Sequence, residues 1–512
     1  MRNSLIVLLI LLGVSIISCR NDFDFEPSTG SLTFSKDTVY LDTVFSNVGS
    51  STYRLKVFNN SDKNVLIPKI QLAQGTTSKY RMMIDGMSGD IGAEGKIFSN
   101  VELLAKDSMF VFIETTIDYS EFANPEAQYL YTDQILFDTG TNQQEVELVT
   151  LVKDAVFLYP NRDTNGVYEE IPIGVDENGE TISGRGFFLD ENELHWTNQK
   201  PYVIYGYAGV PAGQTLTVDP GTRAHFHSGS ALIAYNGSSI KINGTLSTTE
   251  ELENEVIFEG DRLEPQFAEN PGQWLAIWLT NGSSGHEFSN LTIKNATVGI
   301  LVSGNSGLDS PQADLNLKNV QIYNSSNAGI LAETGYIFGE NVVVNWAGAS
   351  CLYLSYGGKY NFVHSTFNNN WSGTRKYAVL LNNYIEGANP ETQPLMANFV
   401  NSIIFSSNQS GLLIDKKETS QVFETNFTRC QIKLSNSINV QNTIYAFVTD
   451  ESNIIRNGNP NFLNVNENKL FIGEDSDAKG FGNYLGGNDL FGNPRNNPSD
   501  LGAYNFQVFE EE

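Results

Sequence analysis

The sequence predicts an all-β protein: an antiparallel sandwich followed by a parallel β-helix. Three observations lead there. Residues 30–156 are a series of short alternating segments (SLTF, TYRLKVFNN, VLIPKIQL, MFVFIETTI, QILFDT and QEVELVTLV), each bounded by Gly, Asn, Asp or Pro. From about residue 210 the chain repeats itself, with LTIKNATVGILV at 291–302 returning as VQIYNSSNAGILA at 320–332. These segments lack the three- and four-residue apolar spacing that an amphipathic helix needs.

The chain has 512 residues, 40% of them hydrophobic, with 45 glycines, which suits a folded, turn-rich protein of two or three domains. Its 31 basic residues face 59 acidic ones, a net charge of −28 that repels nucleic acid and anionic headgroups. Acidity of this kind leaves calcium open but specifies no calcium site, and no cofactor or metal ligand set is expected.

Arg2 precedes an apolar run, Leu5–Ile17, that is too short to cross a bilayer but suits the core of a signal peptide, residues 1–18. The run ends in IISC (16–19), which resembles the lipobox of bacterial lipoproteins. That resemblance implies a lipid on Cys19 and the membrane as a partner. RNDFDFE (20–26), with Asp22, Asp24 and Glu26, resembles the acidic export signal of Bacteroidota lipoproteins. It implies an outer-membrane protein on the cell surface, with residues 19–29 as an acidic tether. Cys351 and Cys430 lie in strand-like contexts, and buried free thiols are expected.

Six apolar segments with turn residues between them make residues 30–156 a sandwich of about seven strands. YRLKVFNNSDKNVLIPKIQL resembles bacterial Ig-like sandwiches related to major sperm protein, which implies a spacer or docking module. Residues 157–209 read as a connector, with turns at DTNG (163–166) and DENGE (176–180).

Over 210–470 the repeat superposes Ile293, Ile322, Val344, Phe367 and Phe405, preceded two residues earlier by Leu291, Val320, Val342, Ser365 and Ile403. A short coil cannot bury its own apolar side chains, so each must stack on its neighbours. Asn295, Asn324 and Asn369 fall at the corners, where Asn tolerates left-handed backbone and can hydrogen-bond along a stack. Excess residues loop out at 306–313 and 382–396. VPAGQTLTVDPGT (210–222) and PGQWLAIWL (271–279) resemble right-handed parallel β-helix proteins of the pectate-lyase-like fold. The tail NDLFGNPRNNPSDLGAY (488–504) is similar to their C-terminal closing motif, which implies that residues 471–512 cap an open end. The whole arrangement resembles Bacteroidota lipoproteins with a right-handed β-helix repeat region.

Lyases and hydrolases of that fold need several acids, with an Arg or Lys in the lyases, on neighbouring coils. Leu291–Val302 carries only Lys294, Val342–Leu354 carries no charge, and Asp309, Asp314, Glu333 and Glu340 are scattered. His225 and His227 read as a solvated strand face, and His364 as a corner residue at the position of Asn290, Asn319 and Asn341. Trp274 and Trp278 read as core.

The remaining signal is aromatic. Tyr353, Tyr356, Tyr360, Trp371, Tyr377 and Tyr384 are interleaved with Asn368, Asn369, Asn370, Arg375 and Lys376. Rings stack on sugars while amides and Arg hydrogen-bond hydroxyls, so Trp371, Arg375, Tyr377 and Tyr384 are candidate glycan contacts. The competing reading is that these rings pack inside the repeat. The function expected is non-catalytic glycan binding or display at the envelope. The alternatives are a β-helix lyase or glycoside hydrolase, and a structural or adhesive role towards an envelope protein.

Overall fold

The computed structural model describes residues 24–122, 128–304, 308–386, 391–441 and 443–509. The signal peptide and Cys19 lie outside them. The described chain is all-β, with strands joined by loops and short 3-10 turns, and it divides into two compact units, the sequence boundary falling between Asp154 and Ala155.

The first unit has two sheets over one core. One sheet runs through Glu26–Pro27, Val65–Leu72, Gln128–Phe137, Gln144–Lys153 and Thr38–Phe45, with Ile97–Leu103 paired to Val65–Leu72. The other runs through Thr33–Phe34, Tyr53–Phe58, Ser108–Thr115 and Tyr80–Ile84. Period-two alternation sends Met109, Val111 and Ile113 inward and leaves Phe110 and Phe112 exposed. Each such buried aliphatic stabilises the fold by about 1.5–3 kcal/mol. The sandwich is mixed rather than purely antiparallel. Glu26–Pro27 pairs in parallel with Val65–Leu66, and Thr38–Phe45 pairs in parallel with Gln144–Lys153. The expected tether therefore ends sooner than residue 29, since Glu26 is already in a strand and bound to Lys63 at 2.7 Å.

In the second unit, strands stack in register, tier upon tier, into sheets of 17 and 10 strands, all parallel except the pair Glu170–Val175 and Thr181–Phe188, which opens the smaller sheet antiparallel. Phe258, Ile293, Ile322, Val344, Phe367, Ile404 and Ile432 form one inward column. Ile277, Ile300, Ile330, Leu352, Val379 and Leu412 form another in the second sheet. The sequence register holds from Ile293 to Phe367 and then slips by one residue. Ile404, not Phe405, pairs with Phe367, while Ile403 pairs with Thr366 and lies on the outer face. The uninterrupted run Ile403-Ile404-Phe405 hides the phase that alternation would otherwise reveal.

The corner column also differs from expectation. Asn295 and Asn324 are left-handed, at φ 64° and 57°, but their amides donate to Ala268 and Glu269 rather than to each other. Asn369 stays out of the left-handed region and donates to the carbonyls of Ala347 and Tyr377. The amide stack lies one corner earlier: Asn341 donates to Asn319 at 2.9 Å, and Asn319 to Asn290 at 3.1 Å. His364 continues it as expected, meeting Asn401 at 3.1 Å. All five residues have φ between 46° and 55°.

Two boundaries move. Residues 157–209 are no connector: Leu158, Phe187, Leu189, Trp196, Tyr202 and Ile204 join the main core of the second unit. Their strands, such as His195–Trp196 and Tyr202–Ile204, are too short to establish a period. The two turns are as expected, with Asp163 Oδ1 and Asp176 Oδ1 each accepting two backbone N–H bonds. The C-terminal segment, in turn, covers a side rather than an end. Leu490, Ala503 and Tyr504 pack on outward-facing Tyr323 and Val343, while Leu501, Ile472 and Ala478 pack on Ile403.

Cys351 and Cys430 are buried free thiols. Their Sγ atoms donate to the carbonyls of Asn368 and Phe399, and burial pushes the Cys430 thiol up to about 12.

Candidate functional site

Three loops leave the large sheet at the same corner on successive tiers, after Thr366–Asn369, Ile403–Ser406 and Cys430–Ile432. Because the strands are in register, residues 373–377, 407–410 and 433–438 come to lie side by side and line an open cleft of about 850 Å³. Its walls are amides and hydroxyls: Thr374, Ser407, Asn408, Gln409, Asn436 and Asn457 among them. Several are fixed by one another. Asn457 Nδ2 donates to Asn436 Oδ1 at 3.1 Å, and Ser410 Oγ accepts from the Ser435 amide at 2.9 Å. Arg375, Lys376 and Lys433 supply positive charge, and Tyr377 supplies the ring. No carboxylate lines the cleft among the described residues.

The four candidate glycan contacts do not converge. Arg375 and Tyr377 share the cleft. Trp371 sits beside it, half-buried and edge-on to Trp346 at 6.3 Å, with its carbonyl held by Asn408 Nδ2. Tyr384 lies beyond the far end of strand Tyr377–Asn382, about 20 Å along at strand rise. There its hydroxyl donates to Asp415 Oδ2 at 2.8 Å, and that bond pushes the phenol up to about 12. Tyr360 is wholly buried and bonded to the Gly357 carbonyl, so for that ring the packing reading wins.

A second cleft, of about 670 Å³, lies apart from every residue that the sequence marks as a candidate contact. It forms where the C-terminal residues 467–471, 490–491 and 504 approach loop 246–252 and the outer strand face at Thr292, Lys294, Gln321 and Tyr323. It gathers Glu250, Glu255, Glu269 and Glu467 around Lys294 and Lys469. Lys469 is paired with Glu467 at 2.6 Å. Burial raises the Glu255 carboxyl, and Glu269 accepts the Asn468 amide at 3.3 Å. Tyr323 and Tyr504 both donate to Gln321 Oε1, at 2.7 and 3.1 Å. Residue spacing carries no signal of this cluster, because its members come from separate loops and from the tail.

The histidines divide. His225 is buried beside Glu259, and His227 is exposed and bonded to Asp261 at 2.7 Å, so the pair is only half the solvated face expected. No group of three or more His, Cys, Asp or Glu is placed to hold a metal among the described residues. Trp274 is core, stacked on Phe226 at 4.3 Å, whereas Trp278 is half-exposed on the outer face beside inward Ile277.

No known protein family matches the sequence, and no curated protein does. Among solved structures, the chain is similar to the periplasmic chaperone SfaE, at 18% identity and a TM-score of 0.15, over 24% of this chain and 58% of that one. It is similar to a PapD-like domain of human CEP192, at 11% identity and a TM-score of 0.16, over 26% of this chain and 91% of that domain. It is also similar to the Bacillus cereus major pilin subunit BcpA, at 15% identity and a TM-score of 0.16, over 32% and 54%. The chain thus spans little more than half of the chaperone and of the pilin. Likenesses this slight carry no argument about function.

Proposed function

We propose that this chain is an envelope lipoprotein that binds glycan without transforming it. Cys19 is its lipid anchor at the outer membrane, and the protein faces the cell surface. An Ig-like sandwich precedes a right-handed parallel β-helix, whose lateral cleft at Arg375 and Tyr377 holds the sugar. The single observation that carries the reading is the lining of that cleft: amides, hydroxyls, three cations and a ring, with no carboxylate to serve as acid or base. Affinity electrophoresis of the purified mature chain against a panel of polysaccharides tests it. Retardation by at least one glycan, reduced in Tyr377→Ala, is expected, and free migration through every glycan would overturn it. The anchor is tested separately: Cys19→Ala moves the protein from the membrane to the soluble fraction, and unchanged partition would remove the lipid from the proposal.

One observation favours a second reading, a lyase or glycoside hydrolase. The other cleft brings Glu255 and Glu269 beside Lys294, the combination of acids and a base that such chemistry uses. Release of unsaturated product or reducing ends from a polysaccharide would establish it.

A further inference from the structure

Resting on the glycan reading above, we infer that the cleft takes an acidic sugar chain, one whose carboxylate or sulfate groups sit against Arg375 and Lys433. Acids outnumber bases 59 to 31 in this chain, yet the three charged residues lining the cleft are all basic. A fourth cation stands behind them. Arg456 reaches the Ser435 carbonyl at 3.4 Å, and its Nε is buried without a partner.

These cations are not consumed by the fold. No ion pair engages Arg375, Lys376, Lys433 or Arg456 among the described residues, whereas Lys63, Arg81, Lys241 and Lys469 each hold a carboxylate. Lys376 is held by the Gly348 carbonyl, which fixes its position without neutralising it. Lys433 lies 5.6 Å from the Phe405 ring, a contact that likewise leaves its charge available. Arg375 is exposed. Unpaired cations of this kind are complementary to anions, and the guanidinium fork suits a carboxylate or sulfate.

The net charge of −28 does not defeat this. Beyond a Debye length of roughly 8–10 Å the distant acids are screened, while cations in contact with the ligand are not. The hydroxyls and amides between the cations distinguish the site from a bare anion hole. Asn408, Gln409 and Asn436 offer donors and acceptors to the neutral hydroxyls of the same chain.

Affinity electrophoresis of the full mature chain uses polygalacturonate, chondroitin sulfate and dextran as carboxylated, sulfated and neutral probes. Retardation by at least one acidic polymer at about 0.1 M salt, falling as salt rises further, and weaker retardation by dextran are expected. Which acidic polymer binds tells carboxylate from sulfate recognition. Arg375→Gln with Lys433→Gln should weaken acidic binding by about fivefold or more per removed charge. Lys318→Gln, an exposed cation elsewhere, should change nothing. Unchanged circular dichroism and melting confirm that the variants fold.

Equal, salt-independent binding of dextran would overturn the acidic inference while leaving the glycan reading standing. Acidic binding that survives the double substitution would overturn the assignment to this cleft. Failure of all three probes, with a different neutral glycan binding in the panel, would also overturn the inference alone. Failure of every glycan would overturn both.

Discussion

Arg495 donates from its guanidinium to Asn341 Oδ1 at 2.6 Å, with the two residues only 5% and 2% exposed. One belongs to the C-terminal tail, the other to the asparagine stack at the corner of the large sheet. The same guanidinium donates to the carbonyls of Gly502 and Ala503, and its charge faces Asp489, Asp500 and Glu340. A buried guanidinium that ties a tail to a sheet is costly to remove, because its three acceptors would be left unpaired.

Arg495→Ala should therefore destabilise the second unit by about 3 kcal/mol or more, at about 1–3 kcal/mol for each buried acceptor left unpaired. Arg495→Lys should recover only part of the loss, since one ammonium cannot reach three acceptors in a fork geometry. Urea denaturation measures the cost, and limited proteolysis should cut the tail first. A variant with unchanged midpoint and unchanged proteolysis would mean that the tail is held by its apolar contacts alone.

The inward columns make a second prediction. Ile322→Asp places an unpaired carboxylate in a dry stack and should cost several kcal/mol, on the order of 3–5, or force the acid to stay neutral. The neighbouring Gln321 faces outward but is not a silent position. Its Oε1 accepts from Tyr323 and Tyr504, and its Nε2 donates to Thr292. Gln321→Leu would remove the acceptor that two buried hydroxyls share, at about 1–3 kcal/mol in all. Exposed Lys318→Ala should stay within about 0.5 kcal/mol of the parent. Equal melting of all three variants would show that these faces are wrongly assigned.

What the sequence made legible is what depends on short-range period. The phase of Leu291, Ile293, Val320 and Ile322 follows from alternation and recurrence, and so does the place of His364 at the head of its strand. Where period fails, reading fails. Ile403-Ile404-Phe405 has no polar member to mark its face, and strands of two or three residues before Val210 have no period to read. The tail reads in sequence as a cap for an open end, and only three-dimensional packing places Tyr504 on Tyr323 at the side of the sheet. The acidic cleft is further removed still: the Glu269–Asn468 contact spans 199 residues.

Acid sensitivity follows from two buried histidines. Burial holds both His286 and His364 down at about 3, with Lys241 and Arg495 adding to the effect. Their folded pKa values lie below the unfolded value near 6.5, so between pH 6.5 and 3 the unfolded state binds more protons. Stability should then fall as pH falls through that window, by up to about 1.4 kcal/mol per unit for each histidine. Raised Glu255 opposes this, since it favours the folded state as it protonates. Melting temperature against pH should show a flatter acid limb in His286→Asn with His364→Asn. An unchanged limb would assign acid loss to carboxylates.

The split between Tyr377 and Tyr384 separates two substitutions that the sequence would group. Tyr377→Ala should weaken glycan binding by about 0.5–1.5 kcal/mol, the range for one aromatic contact. Tyr384→Ala should leave binding unchanged, because its hydroxyl is engaged by Asp415 at the other end of the strand. Calorimetric titration of both variants with the same glycan decides it. Equal losses would mean that the ligand spans the whole strand.

The acidic cleft provides the sharpest test of the non-catalytic reading. Catalysis there would need a proton acceptor and a donor held within reach of one sugar ring. Burial raises the Glu255 carboxyl, and Lys294 is engaged in no ion pair among the described residues. Against this, Glu467 is spent on Lys469, and Glu269 is held by two amides, those of Asn324 and Asn468. The cleft floor is closed by Tyr323 and Tyr504, both turned inward to Gln321. The groups present are thus mostly engaged in fixing the tail, and the expectation is no turnover of acidic or neutral polysaccharides, with or without calcium. Glu255→Gln should instead stabilise the protein at neutral pH, by relieving a carboxylate that burial disfavours. Steady release of product by the parent chain, abolished in Glu255→Gln or Lys294→Met, would make this cleft an active site. Greater thermal stability in Glu255→Gln, with no activity to lose, would leave it a seam between tail and sheet.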